Sequence, residues 1–333
     1  MVQTLYETTT GLSHTSEDGI ALQCPSCRAA LGLLPFGNSA NAHDYDCSHC
    51  YYTMHQEKGI WRALTPERLA YFSRFIEEYQ NIRAAEGRGS MQPEFYLSLP
   101  YKDLSGRNVW QWKIRSSTYN YLRKKLLPRY PRDRKNPPKV LDLGAGNGWM
   151  SYRLALEGYF SVAVDLLVND EDGLGAAAHF EKHYGALIPR FQAEMSRLPF
   201  SDAQFDAVIF NASFHYAEDY QTVLGEALRC VREGGSVIIA DTPWYSTEKS
   251  GEQMIAERRA AFTQRYGTAS NSIPSLEYLT DQRLRDLERA LNIQWERSAP
   301  HYGLQWAMRP LLAKLRGKRE PSRFRIYSTR KIA

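Results

Sequence analysis

The sequence predicts an α/β protein with a doubly wound, mostly parallel sheet, preceded by a small cysteine-bearing module. Three observations lead there. From Lys139 onward, short apolar runs alternate with helix-length stretches, the pattern of βαβ units. The first run, Val140-Leu-Asp-Leu-Gly144, enters a glycine-rich turn that opens a helix at Trp149. Upstream, Cys24/Cys27 and Cys47/Cys50 form two C-x-x-C pairs, whereas the fifth cysteine, Cys230, stands alone. A chain of 333 residues has room for roughly two domains. The predicted division is a cysteine module over 1–62, a helical lid and linker over 63–135, and the α/β domain over 136–333.

Composition narrows the class. Hydrophobic residues make up 43% and charged residues 24%, ordinary for a globular domain. A net charge of +5 is milder than a dedicated nucleic-acid binder carries. No run approaches the roughly 20 apolar residues of a membrane span, and the polar start, MVQTLYETTTGLSHTSEDG, lacks the basic and apolar segments of a signal peptide. A reducing cytoplasm is therefore the expected location, and no membrane partner is expected.

Thr65-Pro66-Glu67 reads as a helix start: a capping hydroxyl, proline at the first helical position and an early acid. Leu69, Phe72, Ile76 and Tyr79 follow at helical spacing, ending near Gly87 and Gly89. A second helix is predicted over 114–127, with Ile114, Tyr121, Leu122 and Leu126 toward one side, and a proline- and arginine-rich linker over 128–138. In the α/β region KVLDLG, FSVAVD, PRFQAE, FDAVIFN and SVIIAD read as strands. Helices are predicted over 147–158, 173–184 and 218–232, then 248–266, 281–291 and 305–316. RFRIYST, over 323–329, closes the sheet edge.

The glycine turn decides the ligand class. Gly144, Gly146 and Gly148 let the backbone bend tightly and let a ligand lie against it with no Cβ in the way. A G-x-G-x-x-G turn seats a dinucleotide pyrophosphate on the helix N-terminus. Here the third glycine comes one residue early, and no G-x-x-x-x-G-K-[ST] phosphate loop occurs, so the spacing argues for a nucleoside without phosphates. Asp165 ends FSVAVD about 20 residues past the first glycine, where a carboxylate can accept from both ribose hydroxyls.

With these residues in place, 139–241 resembles the class I S-adenosylmethionine (SAM) methyltransferases of small-molecule type, whose fold is Rossmann-like. DLGAGNG is similar to the family's first motif, which implies cofactor contacts for Asp142, Gly144, Ala145, Gly146 and Gly148, and for Asp165 and Leu166 at the ribose. AEMSRLPF resembles the stretch beside adenine, with Glu194 in place of the usual Asp and Met195 next to it. FDAVIFNASFHY matches the fourth-strand motif, bringing Asn211 to the cofactor, and LRCVREGGSVII matches the family's L-R-P-G-G turn with Glu233 replacing proline.

The cysteine pairs, with nineteen residues between Cys27 and Cys47, fit a zinc ribbon: Zn²⁺ takes four thiolates tetrahedrally, and each C-x-x-C presents two. Four thiolates leave no open position, so the predicted role is structural. His43, His49 and His55 lie nearby but are not needed as ligands. The module, ending in GIWRAL, resembles the ribbon proteins that activate tRNA methyltransferases and the ribbon of the rRNA guanine-N1 methyltransferases.

Methyl transfer needs an acceptor lone pair held in line behind the donor methyl, sometimes with a base. His215 is read either as that base or as a packed wall residue. His215, Tyr216, Trp244 and Tyr245 are the candidate acceptor contacts, Tyr302 and Trp306 further ones, and Trp110 and Trp112 a candidate lid. The leading reading is a methyltransferase acting on an O, C or N atom of a small molecule. One alternative is an RNA base methyltransferase with the ribbon as its RNA handle, favoured by the basic stretches Lys113–Lys139 and Arg309–Lys331. Another is a non-catalytic adaptor.

Overall fold

The computed structural model describes residues 19–36, 44–133, 135–185 and 188–332; His43 lies outside them. The chain opens with two short hairpins, β1 (Gly19–Gln23) with β2 (Ala30–Pro35), and β3 (Tyr45–Asp46) with β4 (Thr53–Met54). A third hairpin, β5 (Gln56–Glu57) and β6 (Ile60–Arg62), follows. Then come α1 (Pro66–Ala85), α2 (Pro93–Ser98) and α3 (Val109–Tyr121). Thr65 caps α1 as expected, its hydroxyl accepting from the Arg68 amide, with Pro66 in the first turn. The buried stripe is Phe72, Phe75 and Ile82, while Leu69 faces solvent. Helix α3 starts five residues earlier than the periodicity indicates, and continues as a wide turn over Leu122–Leu126.

The α/β region runs β7 (Lys139–Leu143), α4 (Trp149–Leu156), β8 (Phe160–Asp165), α5 (Ala178–Tyr184), β9 (Arg190–Gln192), β10 (Phe205–Asn211), α6 (Tyr220–Cys230) and β11 (Val231–Ala240). It ends with α7 (Glu248–Tyr266), α8 (Asp281–Leu291), β12 (Glu296–Ser298), α9 (Leu304–Leu315) and β13 (Ile326–Arg330). The sheet order is β12-β13-β11-β10-β7-β8-β9-β6-β5. Strands β6 to β11 pair in parallel, β13 lies antiparallel on β11, and β12 antiparallel on β13. The order reverses between β7 and β10, which is where such sheets open a crevice at their carboxyl ends.

Both faces of the sheet are covered, so its strands alternate between two cores rather than between core and water. Leu141, Leu143, Val208 and Phe210 face α6, α8 and the cysteine module. Val140, Ala207 and Ile209 face α4, α5 and the end of α3.

One arrangement was not foreseen. Ile60–Arg62, the tail of the cysteine region, is a strand of the main sheet, paired in parallel with Arg190–Gln192. The module is also stitched on elsewhere: the Gln23 amide donates to Pro199 O at 3.1 Å and the Ser201 amide to Ala21 O at 3.0 Å. Below them Glu226, almost wholly buried, accepts from Arg28 of the module, from Arg229 and from the Leu198 amide. Glu226→Ala strands that buried amide and removes the carboxylate that joins Arg28 to Arg229, and is expected to cost about 2–4 kcal/mol. Urea unfolding followed by tryptophan fluorescence measures it, and a loss below about 0.5 kcal/mol would refute this account of the junction.

Candidate functional site

A cleft of about 300 Å³ opens at the carboxyl ends of β7, β8 and β10, within the usual size range of ligand pockets. Its floor is the turn after β7. Gly144, Gly146 and Gly148 all have positive φ, +75°, +56° and +77°, a conformation that costs any other residue about 1–2 kcal/mol. The turn is bolted to β8, because the Gly144 and Ala145 amides both donate to Val164 O, at 2.8 and 3.0 Å. A Cβ on Gly144 would sit 2.2 Å from the Ser213 Cβ, whereas one on Gly146 would meet only Asp172 O, at 3.6 Å. The second glycine therefore faces the open cleft, and the first is pinned against the loop after β10.

Asp165, at the end of β8, lines the cleft. Its Oδ2 accepts from the Gly146 amide at 2.7 Å and its Oδ1 from the Leu167 amide at 2.8 Å. Burial raises its pKa, and those two N–H groups pull the other way. Asp142, one strand over and 1% exposed, accepts from the Ser151 hydroxyl at 2.7 Å. Burial pushes its carboxyl up to about 7, and Asp165 adds to the shift.

Helix α1 roofs the cleft. Arg68, Phe72, Phe75, Tyr79 and Arg83 line it at intervals of three and four residues, one stripe of a helix. Both ends of that stripe are clasped: Arg68 holds Glu194 with Nη2–Oε2 at 2.7 Å, and Arg83 holds Asp172 at 2.5 Å. Asp172 sits in a loop ordered by Asn169, whose Oδ1 accepts from the amides of Glu171, Asp172 and Gly173. Between the clasps Phe75, Tyr79 and Tyr216 form an aromatic cluster, with ring centroids 5.5–6.2 Å apart. From α3, Arg115 also lines the cleft. Burial holds its guanidinium down to about 10, and nearby Arg83 and Arg88 add to the effect.

Residues 141–239 match the family model described as a methyltransferase domain. Over 113 residues the chain is 33% identical to the demethylmenaquinone methyltransferase of Mycolicibacterium gilvum, covering 34% of this chain and 44% of that one. Against the enzyme of the same name from Mycobacterium marinum it is 34% identical over 103 residues, covering 31% and 41%. The chain thus spans under half the length of the curated relatives it matches. A solved 1,6-didemethyltoxoflavin-N1-methyltransferase of Burkholderia thailandensis, with 1,6-didemethyltoxoflavin and S-adenosylhomocysteine bound, superposes over 88% of this chain and all of that one, at 18% identity and a TM-score of 0.45.

Of the residues singled out in the sequence, Asp142, Gly144, Ala145, Gly146, Asp165, Leu166, Glu194, Met195, Asn211 and Tyr216 all line this cleft. Gly148 lies behind the turn, against Ala177, Ile188 and Tyr152. Trp244 and Tyr245 are not among the lining residues. Trp244 packs beneath Arg325 and donates to Asp281, and Tyr245 is buried against Tyr278 and Arg319, because the chain turns down to meet the C-terminal segment directly after β11. His215 also lies outside the lining. Burial pushes its imidazole down to about 3, with Arg258 and Arg115 adding to the shift, so it is neutral near pH 7 and a weak base. Of the proposed lid tryptophans, Trp112 packs on Trp149 and Trp110 on Trp306; from their helix it is Arg115 that lines the cleft. Tyr302 bonds to Thr118 and Asp241.

Sequence reasoning missed Arg68, Arg83, Arg115 and Asp172. Only the helical stripe through Phe72 and Tyr79 hinted at the roof, because isolated arginines read as solvated face.

The four cysteine sulfurs lie within 4.8 Å of one another, with Cys24–Cys50 and Cys27–Cys47 each at 3.5 Å. The two knuckles are built alike. The Cys24 amide donates to Ala29 O and the Arg28 amide to Cys24 O; the Cys47 amide donates to Tyr52 O and the Tyr51 amide to Cys47 O. Arg28 and Tyr51 occupy the same left-handed position, at φ +67° and +60°. His49 and His55 are exposed and not part of this cluster.

Gly144→Ala and Gly146→Ala should separate packing from cleft. The first drives a Cβ into Ser213 and is expected to cost several kcal/mol, lowering Tm by more than ten degrees. The second costs about 1 kcal/mol and lowers Tm by a few degrees. Equal thermal shifts would contradict the assigned geometry.

Proposed function

We propose that the chain transfers a methyl group from SAM to a flat, largely apolar small-molecule acceptor, and that its cysteine module holds one structural Zn²⁺. The observation that carries the reading is the glycine turn braced by Asp165 under the roof of α1. The residues fit the donor. Gly146 leaves room where a Cβ would intrude, and Asn211 Oδ1, buried without a hydrogen-bond partner, is an acceptor suited to the donor's ammonium. Asp165 takes the ribose on the lone pairs its backbone bonds leave free, and Leu166 flanks it. Asp142, Gly144, Ala145 and Gly148 shape the turn, and Met195 lies at the adenine edge. Glu194 acts through Arg68, closing the roof over that edge.

When bound, SAM supplies an electrophilic methyl group on its sulfonium. The carbon–sulfur bond breaks as the bond to the acceptor forms, and S-adenosylhomocysteine leaves. The protein's part is placement: an acceptor ring rests among Phe72, Phe75, Tyr79 and Tyr216, with water excluded by α1. A histidine held near 3 and lying outside the cleft lining gives little help as a base, so His215 is assigned to packing behind the cleft. The acceptor then carries a proton of low pKa or an intrinsically nucleophilic atom.

The sulfur set fits zinc. Tetrahedral bonds of about 2.3 Å put sulfurs roughly 3.8 Å apart, close to the spacings above. A cytoplasmic setting keeps the thiols available to metal. The ion would fix both knuckles, and with them the carbonyls of Pro25 and Ser26, which accept from the Arg197 guanidinium. Arg197 closes the Glu194 turn at the cleft wall.

Labelled methyl from SAM, offered with fractionated extract, should appear in small solutes rather than in RNA or protein. Asp165→Asn should weaken S-adenosylhomocysteine binding by at least about tenfold in calorimetry while shifting Tm by only a few degrees. A wild-type chain whose melting SAM does not move would defeat the reading. Separately, Cys24→Ser should abolish zinc content by atomic absorption and weaken S-adenosylhomocysteine binding severalfold. Unchanged metal content would end the ribbon assignment, and zinc loss without weaker binding would end the link through Arg197.

A further inference from the structure

Helix α9 carries its apolar stripe on the wrong side for a core. Leu304, Met308, Leu311 and Leu315 recur at intervals of four, three and four residues, one face of a helix, and Leu312 borders it. Leu304, Leu311 and Leu315 are 76, 51 and 75% exposed, and no residue of the helix is buried. The helix is held from its opposite side by Trp306, which packs against Phe324, Tyr302 and Trp110, the centroids 5.2–6.2 Å away. The outward direction of the leucines is therefore fixed.

The charge is one-sided. From Leu304 to Arg319 the sequence contains Arg309, Lys314, Arg316, Lys318 and Arg319 and no acid. Arg309 lies over the Trp306 ring and Arg319 pairs with Glu257. Lys314, Arg316 and Lys318 are exposed and form no ion pair among the described residues. An exposed leucine stripe flanked by unpaired cations is the composition of a helix that lies in a membrane interface, its leucines among the acyl chains and its cations at anionic headgroups.

We propose that α9 docks the protein on an anionic lipid surface. No helix of the described residues is long and apolar enough to cross a membrane, and interfacial binding requires none. The docking stands independently of the methyl-transfer reading. It has a bearing on that reading all the same, since Tyr302, just ahead of α9, bonds to Thr118 of α3, the helix whose Arg115 lines the cleft. A docked α9 would hold that side of the cleft close to lipid.

Co-sedimentation of the full chain with phosphatidylglycerol–phosphatidylcholine vesicles and with pure phosphatidylcholine vesicles tests the idea. Binding is expected to the anionic vesicles only, reduced at about 500 mM salt, and reduced at least about tenfold by the double substitution Leu311→Asp with Leu315→Asp. Both sites are exposed, so the variant's Tm should match the wild type. Equal binding to both vesicle types, no binding, or full binding by the variant would overturn the proposal. So would a wild-type dimer that the variant converts to monomer, which would make the stripe a contact between copies. Capture of single-stranded RNA in place of anionic vesicles would likewise assign the cations to another partner.

Discussion

Asp165 has two carboxylate oxygens, and the backbone uses both. One receives the Gly146 amide and the other the Leu167 amide, so a single side chain at the tip of β8 ties the turn after β7 to the loop that follows β8. Three left-handed glycines would otherwise form a loose bend, with no side chains to restrain it. The bond gives the bend one shape, and the amides of Gly144 and Ala145 on Val164 O hold its other side. Everything on the cleft floor inherits its position from this clamp, including the loop that carries Asp172 to meet the roof. The cost is electrostatic: Asp142 feels the charge of Asp165, Asp165 feels that of Asp172, and burial raises both. A cationic ligand on the floor would relieve that cost, which accords with a sulfonium donor.

The roof answers the same charge differently. Helix α1 brings Arg68 and Arg83 to Glu194 and Asp172, on either side of an aromatic cluster. Glu194 and Asp172 are both buried, so removing either arginine would leave a buried carboxylate without its partner, and the clasps fix where the roof sits. Arg115 differs from both, lining the cleft with no ion pair among the described residues. The floor is thus acidic and the α3 side cationic, a polarity that orients a ligand before any shape complementarity acts.

Much of this was legible in the sequence because it rests on local rules. The parallel strands announce themselves as apolar runs, the α1 start as Thr65-Pro66, and the floor as three glycines whose spacing has a steric meaning. Asp165 could be placed because a strand end and a glycine turn at fixed separation bring two elements together in βαβ geometry. What escaped depends on long-range encounters. Arg68 and Glu194 are 126 residues apart in sequence, and neither side chain carries any mark of its partner. Trp244 and Tyr245 follow the fifth long strand and so were read as cleft wall. The C-terminal segment, pairing with Trp244 through Arg323, captures them instead. His215 shows a third limit: its type suggests a base, but its acidity is set by burial and by Arg258 and Arg115, none of which the local sequence encodes.

The cysteine module is where the division by sequence and the architecture part company. A region read as ending at residue 62 supplies β6, whose Ile60, Trp61 and Arg62 pair with Arg190, Phe191 and Gln192 of β9. Gln192 in turn is the register partner of Asp165. From the module's last strand to the clamp on the glycine turn there are only two steps across one sheet, each made of backbone hydrogen bonds. A second route passes through Arg197, which links the first knuckle to the turn at Glu194. A disturbance of the knuckles can therefore reach the cleft from two directions, through the sheet to its floor and through Arg197 to its wall. A module attached as an independent handle would need neither route. Its strand in the sheet and its arginine contacts are those of a brace, and a floor built of glycines, which carry no side chains to hold it, is what such a brace supports.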